Sequence, residues 1–321
     1  MLREALLFLS ENSLARRIAR DAPFARSAAR RFVAGESVDD AIAAARALNR
    51  ARMSVSLDYL GEAVRNRGEA EAAANVYLQV LDRIAAERLD ANISLKLTQM
   101  GQDIDDEFLR GNVGRVLDRA RELDIFVRFD MESSAYTQRT LDFFRRVWDE
   151  GYRNVGVVIQ SYLRRSEQDV RMLNAMGARV RLCKGAYAEP PGVAFQDKRE
   201  VDANFVRLMR LLLREGRYPG IATHDEAMIR ATREFAREAS IPSSAFEFQM
   251  LYGVRRDLQQ RLVDAGYNLR IYVPFGEAWY PYLMRRLAER PANVLFVMNA
   301  MLRESPLGFL VGRGGGRNGR G

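Results

Sequence analysis

Polar and charged side chains stand at the ends of eight short β-prone runs in this sequence, where buried parallel strands are normally apolar. They are Asp58, Lys96, Asp130, Gln160, Arg181 with Lys184, Thr223 with His224 and Asp225, Gln249, and Tyr272. Each one alone is explained by a helix cap or a structural ion pair. Burying an unpaired charge costs on the order of several kcal/mol. So many buried charges are therefore tolerated only where they pair with one another or with a charged ligand. The set predicts a functional site.

A second candidate for chemistry is the pair Arg285 and Arg286, followed by Glu289. Out of context, these residues indicate ordinary ion pairs on a solvated helix face. The helix, however, follows the eighth β-prone run and begins with WYPY, which is too aromatic for a simply solvated helix. Two guanidinium groups held by one carboxylate would bind a small carboxylate ligand if this helix lies across the site.

The elements that must position these residues alternate regularly along the chain. The β-prone runs are Met53–Tyr59, Ile93–Leu97, Ile125–Asp130, Val155–Gln160, Val180–Cys183, Gly220–Thr223, Ala245–Gln249 and Leu269–Val273. Helical patterns of about 10 to 20 residues separate them, with apolar residues at i, i+3, i+4 and i+7. Eight such units predict a closed α/β barrel of the (β/α)8 or TIM type, in which the strand carboxyl ends meet at one face. No G-x-G-x-x-G motif follows a strand, which disfavours an open dinucleotide-binding sheet.

The domain organisation predicted from these patterns has three parts. Residues 1–50 form an arm of two or three extra N-terminal helices, 51–300 form the barrel, and 301–321 form a flexible tail rich in glycine and arginine. The tail superficially resembles RNA-binding RGG segments, so a basic RNA-binding protein is an alternative of another class. No aromatic-interleaved basic face accompanies the tail, and we therefore expect no nucleic-acid partner.

Composition excludes several classes of protein. The 321 residues are 48% hydrophobic and 29% charged, which is typical of a globular chain. One cysteine, Cys183, rules out an internal disulfide framework, and one histidine, His224, argues against a zinc site, so we expect no metal. No run approaches the roughly 20 apolar residues of a membrane-spanning helix. The net charge of +8 permits attraction to anionic surfaces, and only three of the 50 basic residues are lysines.

Seven sequence blocks in order resemble the proline dehydrogenase family. They are SLKLTQ around Lys96, RFDME around Asp130, VIQSY around Gln160, VRLCKGAY ending at Tyr187, ATHD around His224, FEFQMLYG ending at Gly253, and YVPFG with WYPYLMRRLAERPAN between Tyr272 and Asn293. The resemblance covers residues 50–295 and is closest to the monofunctional bacterial type. It implies a distorted (β/α)8 barrel with FAD at the C-terminal face and the last helix laid over the barrel mouth.

The resemblance also implies the roles of individual residues. The FAD-binding set would be Met131, Gln160, Arg181, Lys184, Gly185, Ala186, Thr223 and His224, with Arg181 beside the isoalloxazine ring. The substrate-binding set would be Lys96, Leu251, Tyr272, Tyr282, Arg285, Arg286 and Glu289. Lys96 would pair with Asp130, and the family's tyrosine at the Tyr272 position is associated with a preference for proline over hydroxyproline. Asp130 and Arg181 are the candidate catalytic residues.

The reaction that the resemblance implies is oxidation of L-proline to Δ1-pyrroline-5-carboxylate by hydride transfer to FAD, the first step of proline degradation. The expected partners are a membrane quinone as electron acceptor and a downstream pyrroline-5-carboxylate dehydrogenase. The expected location is the bacterial cytoplasm, with peripheral attachment to the inner face of the membrane left open. Whether a homo-oligomer forms also stays open. A second enzyme hypothesis keeps the flavin barrel but acts on hydroxyproline or another cyclic secondary amine.

Overall fold

The structure, a computed structural model, describes residues 29–61 and 64–289, and over 285–289 it describes the backbone alone. The predicted N-terminal arm is therefore described only from residue 29, and the predicted tail, 301–321, lies outside the described residues. The domain boundaries at 50 and 300 stay predictions.

Eight parallel strands close into a barrel in sequence order, β1 to β8, with β8 paired to β1. The strands are β1 Ser54–Tyr59, β2 Ala91–Leu95, β3 Val127–Phe129, β4 Val155–Gln160, β5 Arg179–Cys183, β6 Gly220–Ala222, β7 Glu247–Leu251 and β8 Leu269–Phe275. Helices connect them, as right-handed crossovers between parallel neighbours require. The prediction of a (β/α)8 barrel is confirmed.

The helices follow the strands in regular alternation. They are α1 Val38–Arg50, α2 Arg67–Ala86, α3 Asp106–Glu122, α4 Ser134–Asp149, α5 Ser166–Ala175, α6 Lys198–Glu215, α7 Glu226–Glu238, α8 Arg256–Asp264 and α9 Trp279–Glu289. Several begin at side-chain caps: Asp105 accepts from the Phe108 N–H before α3, and Asp225 accepts from the Ala227 N–H before α7. Each cap satisfies an N–H group that the helix leaves unpaired.

Side chains alternate between the two faces of each strand, and here the outward face is the apolar one. Outward residues such as Leu57, Leu95 and Val157 are fully buried in a continuous hydrophobic cluster with the surrounding helices. The inward face is polar well below the carboxyl ends, since Arg128, Glu247 and Arg270 are also buried. The sequence pattern predicts polar residues only at the carboxyl ends of the strands. This prediction is too narrow, because buried charges extend down the interior of the barrel.

The seventh strand is shifted from its predicted position. Ala245–Gln249 was expected, but Ser243–Ala245 form a single 3-10 turn after Pro242, and the strand runs from Glu247 to Leu251. Gln249 therefore lies inside the strand and Leu251 ends it. Pairing with β8 continues past the polar Gln249 through Met250 to Leu251.

The last helix begins at the carboxyl-terminal face of the barrel, as predicted. A hydrophobic cluster contains Trp279, Tyr280, Tyr282, Leu283 and Met284. It also contains Phe32 from the N-terminal segment, Leu60 after β1 and Val254 after β7. The aromatic start of α9 is thus buried against the loops around the barrel mouth.

Candidate active site

A cavity of about 520 Å³ opens at the carboxyl ends of the strands. Its lining contains every predicted site residue outside 285–289: Lys96, Asp130, Met131, Gln160, Arg181, Lys184, Gly185, Ala186, Thr223, His224, Leu251, Tyr272 and Tyr282. Residues from nearly all strands meet there because parallel strands of a closed barrel end at the same face. The volume lies within the range of small-molecule sites.

Arg181 stands at the centre of the polar wall of this cavity. Its Nη1 donates to Asp130 Oδ1 at 2.7 Å, its Nε donates to Gln249 Oε1 at 2.5 Å, and its Nη2 donates to Ser56 Oγ at 3.3 Å. The guanidinium carbon also lies 5.2 Å from the centroid of the Tyr272 ring. Partners on β1, β7 and β8, together with Asp130 just after β3, hold the guanidinium plane in one orientation.

Asp130 follows β3 and is almost fully occupied as an acceptor. Ser94 Oγ donates to Oδ1 at 2.6 Å, beside the bond from Arg181, and Tyr272 OH donates to Oδ2 at 2.7 Å. Burial and then the negative charge of Asp130 raise the pKa of Tyr272 well above its usual value. Tyr272 is therefore a neutral donor, and Asp130 is a carboxylate that fixes Arg181 and Tyr272 in place.

Lys96 follows β2 and forms its ion pair with Asp58 on β1. The Nζ–Oδ1 distance is 3.0 Å, and both side chains are buried. The family resemblance predicts that Lys96 pairs with Asp130, and this is wrong, because Asp130 pairs with Arg181. The strand register explains the difference: Asp58 is paired with Ser94, two residues before Lys96 on the same face of β2. Burial raises the pKa of Asp58, and the charge of Lys96 opposes that shift.

The opposite side of the cavity carries a second group of cations. Lys184 Nζ donates to Asp225 Oδ2 at 2.8 Å and to Asp202 Oδ1 at 2.5 Å, and Lys198, the first residue of α6, also contacts Asp202. Although burial opposes it, the hydrogen bond from Lys184 lowers the pKa of Asp225. Lys198 was not predicted as a site residue, yet all three lysines of the chain line this cavity. The rarity of lysine in the sequence was the signal that could have pointed to Lys198.

Gly185 is required by the loop that follows β5. Its φ is +115°, a conformation that L side chains rarely adopt, and a Cβ there would lie 2.3 Å from the Tyr162 ring. A glycine at this position lets the backbone between Lys184 and Ala186 pass close to the ring and border the cavity. Backbone N–H groups exposed in this way suit an anionic ligand.

The remaining residues predicted to bind the cofactor also line the cavity. Gln160 Nε2 donates to the Met131 carbonyl at 3.4 Å, and its buried Oε1 has no partner among the described residues. His224 Nε2 accepts from the Leu251 N–H at 2.9 Å, so that nitrogen carries no proton. Thr223 Oγ1 accepts from the Asp225 N–H at 3.1 Å. His224 and Thr223 therefore order the loops after β6 and β7.

The predicted carboxylate clamp is described only in part. Arg285, Arg286 and Glu289 belong to α9, whose backbone is described, but their side chains lie outside the described residues. Tyr282, earlier in the same helix, is buried and lines the cavity. The clamp stays a prediction.

The donor set of the cavity fits FAD. An unpartnered buried amide oxygen and a fixed guanidinium suit the polar edge of a flavin ring, and the lysines with the glycine loop suit the pyrophosphate. Asp58 and Gln249 belong to the polar set at the strand ends but were assigned no individual role, and Ser56 and Ser94 were not predicted. The contacts of these four residues depend on which strand faces them across the barrel.

Fold and cavity together define the class: a (β/α)8-barrel protein with its site at the carboxyl ends of the strands, where enzymes of this fold carry their chemistry. A profile of the proline dehydrogenase family matches residues 41–299. Proline dehydrogenase 1 of Bacillus subtilis (strain 168) is 40% identical over 304 residues, covering 95% of this chain and 100% of that protein. The chain belongs to the proline dehydrogenase family, which confirms the predicted family.

Two further relatives agree. Proline dehydrogenase of Deinococcus radiodurans is 39% identical over 305 residues, covering 94% of this chain and 98% of that protein. Among solved structures, proline utilization A from Bdellovibrio bacteriovorus, inactivated by N-propargylglycine, superimposes with a TM-score of 0.79 at 28% identity over 97% of this chain. This chain spans 39% of that larger protein.

Proposed function

We propose that the protein oxidises L-proline to Δ1-pyrroline-5-carboxylate, the first step of proline catabolism, with FAD bound in the cavity. Family membership over residues 41–299 supports the reaction. The observation that carries the cofactor and the site is the convergence of Lys96, Asp130, Arg181 and Tyr272 in one cavity at the strand ends.

Two sets of residues divide the cavity between cofactor and substrate in this proposal. The FAD-binding set is Met131, Gln160, Arg181, Lys184, Gly185, Ala186, Thr223 and His224. The proline-binding set is Lys96, Leu251, Tyr272, Tyr282, Arg285, Arg286 and Glu289. The cationic groups of the second set hold the substrate carboxylate, while the tyrosines and Leu251 enclose the ring.

When bound, FAD supplies the acceptor for the hydride that leaves C5 of proline. Arg181, held in place by Asp130, would stabilise negative charge that develops beside it during this transfer. The ring nitrogen of proline must be neutral before the hydride leaves, and it ends double-bonded to C5 after its remaining proton is lost. Asp130 already accepts three hydrogen bonds, so the proton passes to solvent.

The electron acceptor and location follow from the same proposal. Electrons pass to a membrane quinone, and the product passes to a pyrroline-5-carboxylate dehydrogenase. The protein acts in the bacterial cytoplasm, with loose attachment to the anionic inner face of the membrane through its net charge of +8. None of the helices in the described ranges is long and apolar enough to cross a membrane. Co-sedimentation with anionic vesicles, abolished by high salt, tests the attachment.

Product analysis tests the proposed reaction. We expect proline-dependent reduction of an artificial dye, with formation of Δ1-pyrroline-5-carboxylate trapped by an aromatic amino-aldehyde. Hydroxyproline and other cyclic secondary amines serve as competing substrates in the same assay. A preparation that oxidises one of these amines but not proline overturns the substrate, and one without bound flavin overturns the cofactor.

Variants of the predicted clamp test the substrate site. Arg285→Met and Arg286→Met are each expected to raise the KM for proline by roughly two orders of magnitude while FAD stays bound, since a charge-assisted bond to the carboxylate is lost. Arg237→Met, on the exposed face of α7, is the matched control and leaves KM unchanged. If Arg285→Met and Arg286→Met have the same KM for proline as the control Arg237→Met, the two arginines do not bind the substrate carboxylate.

A further inference from the structure

A buried chain of hydrogen bonds runs beneath the cavity, from the interior of the barrel up to Arg181. Arg270 Nε donates to Glu247 Oε1 at 2.9 Å, Gln249 Nε2 donates to the same oxygen at 2.5 Å, and Arg181 Nε donates to Gln249 Oε1 at 2.5 Å. All four side chains are buried, with Glu247 and Gln249 each 2% exposed. Neither Glu247 nor Gln249 has a role in the reaction described above.

The direction of these hydrogen bonds is fixed by Glu247. Although burial opposes it, the charge of Arg270 lowers the pKa of Glu247, so its side chain is a carboxylate and can only accept. The amide of Gln249 must therefore turn its NH2 group toward Glu247, which leaves its oxygen facing Arg181. An amide turned the other way would set one donor against another at Arg181 Nε.

The backbone around Gln249 leaves room for this arrangement. Gly220 on β6 faces the Gln249 side chain, and a Cβ at Gly220 would lie 2.4 Å from Gln249 Nε2. Gly220 is paired with Glu247 in the sheet, so the glycine lies next to both members of the chain. A larger residue at position 220 would thus displace the Gln249 amide from its contact with Glu247.

We propose that Glu247 and Gln249 are positioning residues for proline oxidation, with Glu247 acting on Arg181 through the orientation of the Gln249 amide. Gln249 holds Nε, the inner end of the guanidinium, while Asp130 and Ser94 hold Nη1. Without the hydrogen bond to Gln249, the Arg181 guanidinium can rotate about its remaining hydrogen bonds to Asp130 and Ser94. The proposal rests on the proposed function, in which Arg181 lies beside the bound flavin.

Glutamine at position 247 would upset the amide orientation without changing side-chain size. The carboxylate presents two acceptor oxygens to Arg270 and one of them also to Gln249. Glutamine has one acceptor, which Arg270 and Gln249 must share, and its NH2 group opposes donors on either side. Glu247→Gln therefore changes the hydrogen bonds of Arg181 through the Gln249 amide.

Stopped-flow reduction of the holoenzyme by proline under anaerobic conditions tests the proposal. We expect Gln249→Met and Glu247→Gln each to slow the limiting rate of flavin reduction by about tenfold or more, with the proline Kd changed by less than about threefold. FAD content stays that of the wild type. Gln102→Met, a similarly buried glutamine (3% exposed) outside the cavity, is the matched control and keeps the wild-type rate.

The double variant separates a relay from two independent effects. If Glu247 acts through Gln249, adding Glu247→Gln to Gln249→Met slows reduction no further. Multiplied effects, or a wild-type rate in Gln249→Met, overturn the proposal. A wild-type protein that binds no flavin or is not reduced by proline instead overturns the proposed function.

A second variant covers the case in which Gln249→Met does not fold. Gln249→Glu keeps the shape and the acceptor for Arg181 but sets two carboxylates together, which must share a proton. We expect the pH profile of the limiting rate to gain an ionisation that the wild type lacks. A profile that superimposes on the wild type overturns the proposal.

Discussion

Asp130 is the residue on which the geometry of the cavity depends. It accepts from Arg181, Ser94 and Tyr272, so it holds a cation on one side and a neutral phenol on the other. Removing one partner of a buried ion pair typically costs about 3–5 kcal/mol because the other charge stays buried and unpaired. The Asp130 carboxylate therefore has an essential structural role in holding Arg181 and Tyr272. This role argues against Asp130 serving as the base that takes the amine proton.

Tyr272→Phe tests how the phenol contributes to specificity. The hydroxyl is fixed by Asp130 and occupies space beside the proposed substrate ring, so its removal leaves room for a hydroxyl on the substrate. We expect the ratio of kcat/KM for proline to that for hydroxyproline to fall by roughly tenfold. Tyr267→Phe, whose hydroxyl accepts from Arg233 at the surface, is the control. An unchanged ratio in Tyr272→Phe would contradict the assignment.

The pH dependence of the reaction follows from the same residues. Below the pKa of the substrate amine, kcat/KM should rise about tenfold per pH unit, since only neutral proline reacts. Because the pKa of Tyr272 is raised well above its usual value, the phenol stays protonated and causes no decline up to about pH 10. Initial rates across this range give the profile. A descending limb that disappears in Tyr272→Phe would show that the phenol ionises early.

At the scale of elements, the loop between β5 and α6 carries Lys184, Gly185 and Ala186, and Glu189 attaches it to α4. Glu189 Oε1 accepts from the Ser134 N–H at 2.7 Å, and its other oxygen accepts from the Ser134 hydroxyl. The N-cap residue of α4, Ser133, makes no side-chain cap bond, so Glu189 supplies that cap from another loop. The loop that we propose to bind FAD is thus held by a helix terminus.

Glu189→Ala tests this attachment. Loss of a cap costs about 1 kcal/mol, which corresponds to roughly fivefold weaker binding if the loop must be ordered before FAD binds. Titration of the apoprotein with FAD, followed by flavin fluorescence, measures the Kd. Glu215→Ala, at the exposed end of α6, should bind FAD like the wild type. Equal Kd values for Glu189→Ala and Glu215→Ala would show that the attachment of this loop to α4 does not contribute to FAD binding.

The barrel interior below the cavity depends on a glycine in β4. Gly156 leaves space for Arg128, which is buried and donates to the Arg179 carbonyl at 2.7 Å. A Cβ at Gly156 would lie 2.3 Å from that carbonyl oxygen and 2.7 Å from Phe126 Cζ. A side chain at position 156 would thus compete with the Arg179 carbonyl, the Phe126 ring and the Arg128 guanidinium for the same volume.

Gly156→Ala should lower the free energy of unfolding by about 2–3 kcal/mol, because overpacking forces backbone or side chains to move. Urea unfolding measures the change. Gly111→Ala in α3, where a Cβ meets nothing within 4 Å, should instead stabilise by about 0.5–1 kcal/mol. Similar stabilities for the two variants would contradict the packing described for the barrel interior.

For the whole molecule, the alternation of β-prone and helical runs was enough to predict the closed barrel and the meeting of its polar strand ends at one face. The sequence could not give the partner of Lys96, because that depends on the β1–β2 register. The sequence also could not show that Arg128, Glu247 and Arg270 point into the barrel. A polar residue in a strand pattern is equally consistent with an exposed side chain. The family's motifs supplied the cofactor assignment, while composition and periodicity supplied the fold.

The absorption spectrum of the purified protein, recorded anaerobically before and after addition of proline, tests the central claim most directly. We predict a bound oxidised flavin in the resting protein and complete bleaching by proline, with no bleaching by alanine as a control amino acid. A colourless protein, or a flavin spectrum that proline leaves unchanged, would contradict the account.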